Sequence, residues 1–371
     1  MKSNSFSNLS INSLAQSLKQ TTNSYKFYWL LSIIEQLNFV DFETKHLSTK
    51  DIVARMIAKI WYPINHHNLS FGKQDKLGEI VNFIKMNSEI TIKDSEEVIF
   101  EFLKEEFQNP KSQFKKLLKD LQRYVPFRFL TPWFKFELQG IEPKEKRIKE
   151  LSSLHFLDSN FLPLYRFLNT EEQIIEMSPY WIDYLKNNQK ILADFCYWNL
   201  VNYLQTKNPN TPNIAFKLFM PKERDLRKAR YFWSLVLKKD SNIHCIYSGF
   251  NLNDNFTIDH FVPWSFVAHD KLWNLIPTSQ IVNSQKGNSI PSLESYLTPF
   301  IKTQFETLKF FINLDKEKKI LEDYAILFDS DFNSMLSMSF SNFKTKLEDT
   351  IKPLCQIASN NGFQMNWKFK N

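Results

Sequence analysis

Between residues 245 and 291 a few polar groups stand out by type and spacing. Asp259-His260 comes first, Asn274 follows fourteen residues after the histidine, Asn283 nine after that, and Lys286 three further on. These types suit hydrolytic chemistry. An imidazole titrates near neutrality and can take a proton from water. A carboxylate and an amide oxygen are ligands for a hard divalent cation. Asp259-His260 follows the apolar run Phe256-Thr257-Ile258, which reads as a strand. Neighbouring strand residues point to opposite faces, so the two side chains serve different partners unless the strand bends. Taken singly, each residue has an ordinary reading. An Asp-His pair is most often a surface or capping pair, and the asparagines could be turn or helix-surface residues.

In order and context these groups resemble the HNH endonucleases, whose core is a two-stranded hairpin followed by a helix around one metal ion (the ββα-metal fold). IDHFVPWSF matches the D-H-x-x-P-x-S-F form, NSQKGN the N-x-x-K-G that opens the family's helix, and CIYSG the Cys-x-Tyr turn before the hairpin of some members. The resemblance implies that His260 is the general base, that Asn274 orients its imidazole, and that Asp259 and Asn283 hold one Mg2+ or Mn2+ ion. Lys286 is expected to touch phosphate. The implied substrate is DNA, with RNA left open because water rather than a 2′-hydroxyl attacks. The alternative is a catalytically degenerate helical protein that binds nucleic acid or a partner.

One departure from the family is informative. Many members carry two C-x-x-C pairs around a structural zinc. Here Ser248, Ser279 and Val282 stand where three of those cysteines would fall, leaving Cys245. One thiol cannot build a tetrahedral thiolate site, so no structural zinc is expected. Apolar packing must hold the segment instead.

The elements around it read as helical. Steps of three and four place apolar residues on one face from Tyr25 to Leu37 and from Ser48 to Trp61, with Pro63 as the expected stop. Further helices are expected near 74–87, 94–107, 110–122, 143–153, 170–187, 190–204 and 222–239, and again from Pro291 to about 350. A short hairpin is expected within 243–262, and the polar stretch 205–213 reads as a linker. The fold class is therefore mainly α with a small embedded ββα-metal module, α+β overall. Its expected regions are a helical recognition part (1–213), the nuclease module with a basic lead-in helix (214–291) and a C-terminal helical part (292–371). The stretches YKFYWLLSII, RMIAKIWYPI and LSFGKQDKL resemble those of bacterial HNH-domain proteins of unassigned role, among them candidates for restriction or phage defence.

Composition bounds the rest. The chain has 371 residues, 43% hydrophobic and 23% charged, which excludes wholesale disorder. Six glycines argue against a glycine-rich phosphate loop. Three scattered cysteines, Cys196, Cys245 and Cys355, form no disulfide framework and suit a reducing cytoplasm. The first twenty residues are polar, and no apolar run is long enough for a membrane span. A cytoplasmic protein without a membrane partner is expected, acting alone, as a homodimer or with another subunit. The net charge of +7 is uneven. Residues 111–150 hold eleven Lys/Arg against five Asp/Glu, and residues 217–240 hold eight against three. The second stretch carries Lys222, Arg224, Arg227, Lys228 and Arg230 straight into the candidate centre, as a phosphate-backbone surface or a solvated helix face. The aromatics Tyr124 to Phe136 are expected mostly in the core, with base stacking as the alternative.

Overall fold

The computed structural model describes residues 9–19, 21–39, 45–168, 173–221, 224–239, 243–252, 255–314 and 319–370. Lys222 lies outside them. The chain forms two compact units, Met1–Pro209 and Asn210–Asn371.

The first unit holds helices α1 (Ile11–Ser17), α2 (Tyr25–Gln36), α3 (Thr49–His67), α4 (Leu77–Asn87), α5 (Glu96–Gln108), α6 (Lys115–Phe129), α7 (Lys144–Leu154), α8 (Pro179–Asn187) and α9 (Gln189–Lys207). At its centre, α3 buries Ile52, Val53, Met56, Ile57, Ile60 and Trp61. The Ser48 side chain caps its start, accepting from the Asp51 amide. The helix runs through Pro63 to His67 and ends at Asn68 in the left-handed conformation. The expected stop at Pro63 is therefore wrong. Pro63 and His67 are buried on the last turn, and one lost backbone donor near the helix end costs little against that burial. His66 and His67, which lacked a partner motif in the sequence, pack against Tyr62 with ring centroids 4.9 and 5.0 Å away.

The 170–187 region differs from a continuous helix. Three strands, β1 (His46–Ser48), β2 (Tyr165–Phe167) and β3 (Ile174–Met177), form a small antiparallel sheet with β3 in the middle. In β3 the side chains alternate between half-buried and buried, a two-residue period that four residues are too few to display against the helix following.

In the second unit, α10 (Arg227–Lys239) leads to β4 (Thr257–His260), the short helix α11 (Trp264–Val267), β5 (Leu275–Thr278) and α12 (Gln280–Lys286). Then come α13 (Leu293–Ile312), α14 (Glu322–Phe328), α15 (Phe332–Ser337) and α16 (Phe340–Asn360). The hairpin expected within 243–262 is corrected. There His244 and Asn251 form a single bridge, and the true partner of β4 is β5, registered with Asp259 opposite Ile276 and His260 opposite Leu275. The connection is long because it carries a helical turn of its own.

One hydrophobic core runs from Ala229 to Phe363 and joins the 245–291 segment to the C-terminal helices. Phe261, just past His260, stacks on Phe300 of α13 with centroids 4.2 Å apart. Gln304 of α13 donates to the Leu275 carbonyl at 2.7 Å. Apolar packing and buried amides hold this segment to the helices that follow it.

Lys217 is fully buried beneath this region, its ammonium donating to the Phe266 carbonyl. Burial lowers its pKa from 10.5 to about 7. The unfolded chain binds the proton more tightly than the folded one, so this residue's contribution to stability rises with pH from about 7 towards 10.5. Lys217→Met is expected to stabilise the protein at pH 7 by on the order of 2 kcal/mol. It should also flatten that rise. Urea melts of both proteins across the pH range check the two effects, and parallel curves would refute the assignment.

Candidate active site

Strand β4, strand β5 and helix α12 stand in the order ββα. The Ser279 hydroxyl accepts from the Val282 amide and starts α12 directly after β5. Asp259 and His260 are both buried, and as strand alternation requires they face different partners.

His260 Nε2 lies 2.7 Å from Asp270 Oδ1. Arg224 Nη2 donates to the same carboxylate oxygen at 2.9 Å and stands 3.3 Å from Nε2 and 3.5 Å from Nδ1. The guanidinium stacks over the Trp264 ring, 4.6 Å from its centroid. Burial pushes the His260 imidazole below its ordinary range, and Arg224 adds to this against the opposing pull of Asp270. The net effect favours the neutral ring. Burial would raise the Asp270 carboxyl, but hydrogen bonds from His260 and Arg224 outweigh it and hold the group lower than usual. An ionised Asp270 accepts a proton-bearing nitrogen, which assigns the hydrogen to Nε2 and the lone pair to Nδ1.

Asp259 faces the other way. Its Oδ2 accepts from the Tyr247 hydroxyl at 2.7 Å, and its Oδ1 pairs with Lys286 Nζ at 3.0 Å. The same ammonium donates to the His260 carbonyl at 2.7 Å. Lys286 is 1% exposed and Asp259 3%. Lys286 does not stand where a phosphate contact was expected, because its buried ammonium is held by the Asp259 carboxylate and the His260 carbonyl. Asn283 Nδ2 donates to the Ile258 carbonyl at 3.3 Å, so Oδ1 is the atom it could offer to a cation.

Asn274 is also corrected. Its amide brackets the Val262 main chain, accepting from the nitrogen at 2.8 Å and donating to the carbonyl at 2.9 Å. It fixes the chain two residues past His260 rather than the imidazole, whose partner is Asp270. No motif marked Asp270. The usable signal was topological: antiparallel strands return the 261–274 connection to the His260 end, so a carboxylate in that loop is a candidate partner. Asp323 of α14 anchors the loop, taking Lys271 Nζ at 2.8 Å and the Leu272 amide at 3.2 Å. His269, beside Asp270, is half-buried edge-on to Trp273, and burial lowers its pKa to about 4.

The basic lead-in divides. Arg224 reaches His260. Lys228 lies 3.4 Å from Asp323 and Arg230 donates to the Phe256 carbonyl at 3.5 Å, so both also tie α10 to the module. Arg227 is exposed and paired with its neighbour Asp225 at 2.6 Å.

A divalent cation at this site would take its oxygen donors from Asp259 and Asn283. Both offer oxygen, which fits a hard ion, and two protein ligands fit one that keeps several waters, as Mg2+ does. No group of three or more His, Cys, Asp and Glu side chains with metal-binding geometry occurs among the described residues. Lys286 already neutralises Asp259, so a cation binding there competes with the ammonium.

No helix among the described residues is long and apolar enough to cross a membrane. No curated protein and no solved structure matches the chain significantly. Residues 245–292 match the family described as HNH endonuclease, a span that contains β4, β5 and α12 together with Asp259, His260, Asn274, Asn283 and Lys286. That segment of the chain is an HNH-type module, of a family that acts on nucleic acid as nucleases.

Proposed function

We propose that the protein is a divalent-metal-dependent endonuclease that hydrolyses phosphodiester bonds of DNA, with His260 as the general base. The observation that carries this reading is a buried imidazole held by Asp270 on the first strand of an HNH-type module. With Nε2–H on Asp270, His260 Nδ1 takes a proton from water. The resulting hydroxide forms a new bond to phosphorus while the bond from phosphorus to the 3′ oxygen breaks, leaving 5′-phosphate and 3′-hydroxyl ends. Arg224, about one-third exposed, meets a phosphate oxygen from the side of the imidazole. Asp259 and Asn283 hold Mg2+ or Mn2+, which when bound polarises the phosphate and stabilises the departing alkoxide. Lys286 fixes the Asp259 carboxylate and the backbone of His260.

Asp270 is the positioning residue of this arrangement. Asp270→Asn is expected to lower the single-turnover cleavage rate roughly 10- to 100-fold, with Asp270→Glu recovering part of it. An unchanged rate in the asparagine variant would remove Asp270 from the mechanism.

The exposed Arg224 and Arg227 support binding of the DNA backbone. One centre cuts one strand, so double-strand cleavage requires a dimer or two sequential nicks. A defence role in the bacterial cytoplasm rests on the N-terminal sequence resemblance and on three buried, unpaired cysteines. The reading is tested by incubating plasmid DNA and a matched RNA with the protein in Mg2+ or Mn2+, with and without EDTA. EDTA-sensitive cutting of DNA is expected. Cutting of RNA alone would reassign the substrate, and no EDTA-sensitive cutting of either would favour a degenerate binding module.

A further inference from the structure

The other basic stretch of the chain, 111–150, contributes to a separate feature in the first unit. Helices α2, α6 and α7 border an open cleft of about 600 Å³, within the size range of small-molecule sites. Among the described residues its lining includes the cations Lys26, Arg128 and Lys144 and no acid. Arg128 and Lys144 have acidic neighbours outside the lining, Glu145 at 3.1 Å and Glu142 at 2.9 Å. Lys26 is half-buried. Its ammonium is held below the ordinary lysine value, first by burial and then by Arg128. Cations gathered on one space repel one another, and an anion placed among them relieves that repulsion.

Tyr124 forms part of the wall. It is 38% exposed, and Arg123 and Arg128 stack over its ring at 5.2 and 5.7 Å from the centroid. A partly open aromatic face flanked by guanidinium groups is a stacking platform for a base. Trp133 and Phe134, from the same aromatic run, are buried instead. Thr21, Thr22 and Asn23, also in the lining, add hydroxyl and amide groups suited to a sugar.

We propose that this cleft binds a nucleoside phosphate, with the phosphate between Lys26 and Arg128 and the base against Tyr124. The ligand is a free nucleotide or the phosphorylated end of a strand. The proposal is independent of cleavage by the HNH-type module.

Calorimetry on the full chain in EDTA tests it, with AMP, inorganic phosphate, and thymidine octamers carrying either a 5′-phosphate or a 5′-hydroxyl. Saturable binding of AMP or of the phosphorylated octamer is expected. Lys26→Gln and Tyr124→Leu should each weaken it at least tenfold with an unchanged melting temperature. Binding of AMP identifies a free nucleotide, and binding of the phosphorylated octamer alone identifies a strand end. Three results would overturn the proposal: no binding of either probe at millimolar concentration, affinity indifferent to Lys26→Gln and Tyr124→Leu, or inorganic phosphate binding as tightly as AMP. Should Lys26→Gln lower the melting temperature, the exposed Tyr124→Leu decides alone.

Discussion

His260→Ala is expected to lower the single-turnover rate of DNA cleavage by about 10²- to 10⁴-fold. It should do so without unfolding the protein. The imidazole is buried, yet its removal orphans no charge, because Asp270 keeps Arg224 at 2.9 Å. The Asp259–Lys286 pair on the other face of the strand is also untouched. DNA affinity in EDTA should therefore stay near that of the wild type, and the loss should fall on the chemical step. Rapid-quench cleavage, filter binding and a thermal melt separate these quantities. Wild-type cleavage by the variant would remove His260 from the mechanism.

Lys286→Met is expected to cost about 3–5 kcal/mol of stability, the usual range for removing one partner of a buried ion pair. Asp259 would keep Tyr247 but lose its counter-charge in a site almost closed to water. The same substitution removes the competitor for a divalent cation at Asp259. Mg2+ or Mn2+ should then raise the melting temperature of the variant more than that of the wild type, by mass action on the folded state. Scanning calorimetry with and without the ion, in the absence of DNA, measures both. An unchanged melting temperature in EDTA would contradict the pairing. Equal shifts on adding metal would place the cation elsewhere.

The module was legible in the sequence because its polar groups occur in a fixed order along few residues. Asp259, His260 and Asn283 fall within β4 and α12, where local spacing maps directly onto geometry. What failed was what crosses the long connection between the strands. The partner of β4 was sought before it, in 243–262, because turn residues mark that stretch, whereas β5 carries a proline and four buried residues that give no alternation. Asp270 was missed for the same reason, since only the strand register brings it back to His260. Lys286 carries no local sign of burial, because its burial depends on an acid twenty-seven positions earlier. In the first unit, β3 was absorbed into a helix and Pro63 was read as a stop. Both are local signals overridden by tertiary burial. The 292–371 helices carried no chemistry of their own in the sequence, yet Asp323 and Gln304 hold the loop and strand around His260.

The nature of the new strand ends tests the central claim most directly. Water activated at His260 and departure of the 3′ oxygen predict 5′-phosphate and 3′-hydroxyl termini. Mass spectrometry of an oligonucleotide cut by the wild-type protein in Mg2+ should find those ends and neither in EDTA. Ends of the opposite polarity, 5′-hydroxyl with 3′-phosphate, or the same products in EDTA, would contradict it.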